Sequence, residues 1–162
     1  MGRRNEVTMF KRQEPAPAGL SIPDGDESEE REDCMYYYEK DYIMRLILGI
    51  AQMLAYLFFG KTETDLPAVM SEECRENCDY LRRMVDSGQI NAAEDKLFDL
   101  LETAGWAEEQ KAALIISFYD HINEKDDDFL GRAGFSREEI YSGLEDALKM
   151  IGKEIPEYMR LQ

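Results

Sequence analysis

The segment Asp41–Lys61, DYIMRLILGIAQMLAYLFFGK, constrains the fold more than any other part of the chain. Between Tyr42 and Phe59 only Arg45 and Gln52 are strongly polar, in a chain of formal net charge −16. So much apolar surface must be covered by a protein core, a partner or a bilayer. At about 100° per residue, Arg45, Gly49, Gln52 and Tyr56 fall on one narrow strip. Ile43, Ile47, Ile50, Leu54 and Leu57 lie opposite, and Leu46, Ala51, Met53, Ala55 and Phe58 fill the flanks. The apolar arc covers roughly two-thirds of the circumference, wider than the ~100° stripe of an ordinary surface helix. Such a helix packs on several sides. Asp41 is the expected N-cap and Gly60 the expected residue just past the C-terminus.

A membrane span needs about 20 apolar residues, and the stretch between Asp41 and Gly60 is 18 residues long, Arg45 and Gln52 included. Arg45 sits one turn inside and could snorkel, so length alone leaves a span open. The strip of small and polar residues fits a core helix with one edge at solvent, and that is the reading adopted. A membrane-associated adaptor acting through residues 41–61 is the alternative. The apolar run begins only after residue 40 and no small-residue cleavage site follows, which argues against a signal peptide.

A length of 162 residues suits one domain plus a tail and can bury a real core. The charge and a pI near 4.4 exclude a general nucleic-acid binder, which needs clustered lysine and arginine to displace counterions. The same sign disfavours anionic lipid surfaces. Cys34, Cys74 and Cys78 make no disulfide framework and point to reduced thiols in a cytoplasm.

Residues 1–34 read as a disordered acidic tail or leader, and residues 35–162 as the helical domain. The tail holds PAPAG, a Pro-Asp-Gly turn and DGDESEERED, with little to bury. Its charge is polarised: residues 1–12 carry four basic residues and one acid, residues 13–33 eight acids and one arginine. A solvated tail is preferred to an electrostatic docking arm. Met35 opens the structured part, so an over-early start assignment would also account for the upstream stretch. Gly2 lacks the Ser or Thr at position 6 of a myristoylation signal.

From residue 36 on, the patterning is helical, and no stretch alternates with period 2 over strand length. A second helix is predicted over about Pro67–Asp86, with Cys74, Cys78, Leu81 and Val85 in line and Met70 and Met84 nearby. Ser87-Gly88 ends it. A third opens with Asn91 as N-cap and Glu94 completing a capping box. It shows Ala93, Leu97, Leu100, Leu101 and Ala104 on one face and closes at Gly105. A fourth covers about Ala107–Asn123, with Ile115, Phe118, Tyr119 and Ile122 as core. A fifth opens with a box of Ser136 and Glu139 and presents Ile140, Leu144, Ala147, Leu148 and Ile151. Gly152 and Pro156 end it.

The short link between the second and third helices predicts an antiparallel pair. Gly88, Ile90, Ala93, Leu97 and Leu100 resemble the small-and-bulky pattern of one tetratricopeptide hairpin. Leu81 departs from its usual glycine, Leu100 is larger than usual, and there is no second copy at a 34-residue offset. Over Tyr38–Gly152, the stretches DYIMRLI…LFFGK, GQINAAEDKLFDLLE and FSREEIYSGLEDALKMIG are similar to an uncharacterised Firmicutes family of small all-helical proteins with a domain-of-unknown-function label. The resemblance implies a cytoplasmic bacterial all-helical domain and brings no catalytic residues.

Cys74 and Cys78, at i and i+4, could join His121 and Cys34 around zinc. Both are also in phase with Leu81 and Val85, which makes them small core residues. Asp126-Asp127-Asp128 with Gly131 fails as a calcium loop, because an EF-hand would need an oxygen ligand at Leu130 and a glutamate at Arg137. These acids read as a loop. His121 and Asp120 are helical neighbours that point about 100° apart, so they make no dyad. No phosphate loop, GxSxG elbow or HExxH is present. Tyr36-Tyr37-Tyr38 reads as an apolar entry segment.

The expected architecture is therefore all-α, about five helices in a bundle or tetratricopeptide-like arrangement, with the first helix central. No catalytic, cofactor-binding or metal-binding residue and no cofactor is assigned. The expected role is a non-catalytic interaction or scaffold module whose groove takes a protein or peptide partner, a basic one by charge. Homodimerisation through the first helix is a companion expectation. A metal protein or enzyme using Cys74, Cys78 and His121 is the alternative from another class.

Overall fold

Apolar residues at three- and four-residue spacing from Ile43 to Ile151 fold the chain into helices alone, as the patterning predicts. A computed structural model describes residues 27–61 and 65–162, with side chains from Glu39 on. Most of the predicted tail, and the side chains of Cys34 and the tyrosine cluster, lie outside the described residues. The helices are α1 (Glu27–Phe59), α2 (Leu66–Val69), α3 (Glu72–Asp86), α4 (Ile90–Thr103), α5 (Glu108–Asn123), α6 (Asp127–Arg132) and α7 (Arg137–Met150). A 3-10 turn, Glu157–Met159, follows. The chain divides into two units, Met1–Tyr37 and Tyr38–Gln162, and the core lies in the second.

α1 begins at Glu27, well ahead of Asp41, which is an interior helical residue and caps nothing. Ile43, Ile47, Ile50, Ala51, Leu54 and Ala55 bury one face of it. Of the predicted strip, Arg45, Gln52 and Tyr56 face outward and Gly49 is half-buried; Asp41 is exposed as well. Leu57 is expected inside but is 60% exposed; it sits in the last turn, at the margin of the buried arc. Residues 39–59 are long and apolar enough to cross a membrane by length and composition alone.

The most deeply buried helix among the described residues is α5, rather than α1. Ala112 to Ile116 are buried in unbroken sequence, more than a full turn, followed by Phe118, Tyr119 and Ile122. The small Ala112 and Ala113 let neighbours close on it, and α2, α3, α4 and α7 all pack against it.

The predicted second helix is two. Ser71, in extended backbone, breaks it: its hydroxyl accepts the Cys74 N–H at 3.2 Å and caps α3. Its own N–H donates to Gln110 Oε1 at 3.0 Å, tying the break to α5. The apolar phase runs through Met70, Cys74 and Cys78 and conceals the break. α3 packs on α4 across Gly88, whose φ of +84° allows a tight exit. There the Gln89 N–H reaches Met84 O and the Gly88 N–H reaches Val85 O, each at 2.9 Å.

Of the two predicted capping boxes, Ser136–Glu139 forms, with both bonds present. Asn91–Glu94 does not. α4 begins two residues earlier, at Ile90 instead of Ala92, and its N-cap Gln89 makes no side-chain bond. The predicted acidic loop is helical in part, because Asp126 Oδ1 accepts the Phe129 N–H at 2.7 Å and starts α6.

One buried charge joins these elements. Arg137, 6% exposed, donates to Asn123 O at 2.7 Å, to Lys125 O at 2.5 Å and to Asp127 Oδ1 at 3.2 Å. It thereby satisfies carbonyls at the C-terminal end of α5 that have no intrahelical donor. Asp127 also pairs with Lys40, and Asn123 Nδ2 donates to Met44 O at 3.2 Å, which fastens α1 to the same point.

Candidate functional site

α2 packs on α5, and a cleft of about 300 Å³ is lined by residues of α2, α3 and α5. α3 contributes Arg75, Cys78, Asp79 and Arg82; α5 contributes Ser117, Asp120 and His121, with its C-cap Glu124. Each set has i, i+3, i+4, i+7 spacing, so each is one helical face turned toward the other. Leu66, Pro67 and Met70 make an apolar end, and Asp65 adds a carboxylate. Four carboxylates thus line the cleft against two arginines.

His121 is anchored by its neighbours. Nε2 lies 2.7 Å from Asp86 Oδ1, and Nδ1 lies 3.4 Å from the Arg82 guanidinium. The Nε2–H tautomer satisfies both contacts, donating to Asp86 and accepting from Arg82. Lys125 Nζ meets the same Asp86 oxygen at 2.5 Å. This Lys125 bond is the main cause that holds the Asp86 carboxyl below the usual carboxylate range; desolvation opposes it, and the His121 bond adds to it.

Asp120 has no such support. It is half-buried, and no hydrogen bond or ion pair reaches its carboxylate among the described residues. Burial pushes its pKa up, and the charge of Glu124 one turn on adds to that. Arg82 and His121 offset the shift only in part.

Of the sequence-level candidates, Cys78 and His121 meet in this cleft and Cys74 does not. Cys74 is fully buried beneath it, with its thiol 3.9 Å from Gln110 O. Burial pushes that thiol up to about 12, with Cys78 and Glu73 adding to the shift. Burial also raises the Cys78 thiol, against Arg82. Neither is a ready thiolate. Among the described residues, no three His, Cys, Asp or Glu side chains are grouped to hold a metal ion. Sequence reading weighed Asp120 only as a dyad partner of His121 and set it aside, and it missed Arg82 and Ser117. Their common signal is the repeated helical-face spacing on two helices, which carries meaning only once α3 and α5 are known to pack.

A second polar cluster lies between α4 and α7. The Tyr119 hydroxyl donates to Glu94 Oε1 at 2.7 Å. Gly143 makes the room: a Cβ there would come within 2.6 Å of the Tyr119 oxygen and closer still to Glu94 Oε1. Burial raises the Glu94 carboxyl above its usual range, and the Tyr119 bond partly offsets this.

No curated protein and no solved structure matches the chain. A family model described as a family of unknown function (DUF6483) matches residues 37–152, a span that holds α2 to α7, both polar clusters and the apolar part of α1. The chain belongs to that family.

Proposed function

We propose that this domain is a non-catalytic interaction module that takes a short, basic segment of a partner protein into the cleft between α2, α3 and α5. The observation that carries this reading is Asp120: a half-buried carboxylate, without an ion pair among the described residues, in a cleft with excess acid. A lysine or arginine from a partner supplies the missing cation, and the apolar end formed by Leu66, Pro67 and Met70 accepts the stem of that side chain. The acidic chain steers a basic partner toward it. The free thiols Cys74 and Cys78 support a reducing compartment such as the cytoplasm. The metal or enzyme reading keeps one support, the shared placement of Cys78 and His121, and is weakened by the sealed Cys74 and the two raised thiols.

Selection from a displayed random-peptide library tests the proposal. Peptides rich in lysine or arginine are expected from the native protein, with binding lost in Asp120→Asn. Neutral or acidic winners, or binding indifferent to Asp120→Asn, would overturn it.

A further inference from the structure

Four of the eight exposed large apolar side chains among the described residues lie on α1: Tyr42, Leu48, Tyr56 and Leu57, at 50%, 45%, 64% and 60% exposure. Leu48 and Tyr56 share the outward strip with Asp41, Arg45 and Gln52, all exposed. The strip repeats every three or four residues, the spacing of a helix-pairing seam. Its chemistry decides what fits it.

We propose that a second copy of this chain docks here, antiparallel, about a two-fold axis between Leu48 and Gly49. The strip is complementary to itself in that register. Asp41 faces Tyr56 of the other copy, whose hydroxyl donates to the carboxylate. Arg45 faces Gln52 and donates to its amide oxygen. Leu48 lies beside the axis and packs on Leu48 of the other copy. The two polar contacts each occur twice, as a two-fold interface requires. A parallel pairing would set Arg45 against Arg45 and Asp41 against Asp41. Within one copy Asp41 and Arg45 are only loosely paired, at 4.0 Å and with both side chains well exposed, so both are available. A bilayer suits the strip poorly, because Arg45 and Gln52 would enter it with no partner. The contacts named lie on residues 41–56, none of which lines the cleft.

Light scattering of the full chain at micromolar concentration should give twice the 18.8 kDa chain mass. Leu48→Glu should halve it, while Tyr158→Glu, an equally bold change on another exposed apolar side chain, should not. Circular dichroism checks that both variants fold. Should Leu48→Glu not fold, cysteine crosslinking decides. In a Cys34→Ser background, Leu48→Cys should oxidise to a covalent dimer. Asp41→Cys should not, since the two copies of position 41 stand about 22 Å apart along the axis at 1.5 Å per residue. A native mass of one chain, with or without co-sedimentation on phosphatidylcholine vesicles, would overturn the proposal. So would crosslinking at position 41.

Discussion

Gly143→Ala is expected to destabilise a helix that intrinsic propensity says it should strengthen. In an unhindered helix interior, glycine to alanine gains about 1 kcal/mol. Here the new Cβ would stand 2.6 Å from the Tyr119 oxygen and still closer to Glu94 Oε1. Overpacking of this kind costs about 1–3 kcal/mol. Separating the Tyr119 hydroxyl from a charged, half-buried acceptor costs about 1.5–3 kcal/mol more. Setting these against the propensity gain leaves a net loss of about 1.5–5 kcal/mol, read as a lower urea midpoint at unchanged slope. The same substitution placed on Glu94→Ala with Tyr119→Phe removes both obstructing oxygens, and there it should be neutral or stabilising. The difference between the two backgrounds is the coupling. A Gly143→Ala protein as stable as the parent, or an equal loss in both backgrounds, would refute the reasoning.

Three further outcomes follow from the same packing. Arg137→Ala should cost about 3–5 kcal/mol, because it leaves Asp127 and the α5 terminal carbonyls without their buried donor; a loss below about 1 kcal/mol in urea denaturation would contradict that role. Ser71→Ala should cost about 1 kcal/mol through the lost cap on α3, and no change in the denaturation midpoint would show that the cap contributes nothing. Glu94 is raised above its unfolded value of 4.5, so its contribution to stability is present below that pH and is lost as pH rises through the folded pKa. Glu94→Gln keeps an acceptor for Tyr119 without the charge. Its melting temperature should therefore improve on the parent's more at neutral pH than in acid; an equal or opposite pH trend would be inconsistent with a raised carboxyl.

The helices were legible because their buried faces repeat with helical period. Leu97, Leu100 and Leu101 on α4, and Ile140, Leu144 and Leu148 on α7, are buried as that period requires. What the chain hides is whatever depends on contact between distant segments. Glu94 reads as a capping residue until Tyr119 and Gly143 arrive beside it from other helices. The break at Ser71 is masked by an apolar line continuous on both sides of it. The central place goes to α5 rather than to the more apolar α1, because enclosure depends on small residues such as Ala112 and Ala113 as much as on hydrophobicity. In the cleft, Cys78 and His121 stand out in the sequence by residue type. Asp120 does not, among 35 acids; only its burial and its lack of an ion pair distinguish it.

The proposed function is tested most directly by amide chemical shifts, recorded while a lysine-bearing peptide from the library selection is titrated into the native protein. Shifts concentrated at Arg82, Ser117, Asp120, His121 and Glu124, and abolished when the peptide lysines are acetylated, are the expected result. Shifts centred instead on Leu48, Gln52 and Tyr56, or unchanged by acetylation, would contradict it.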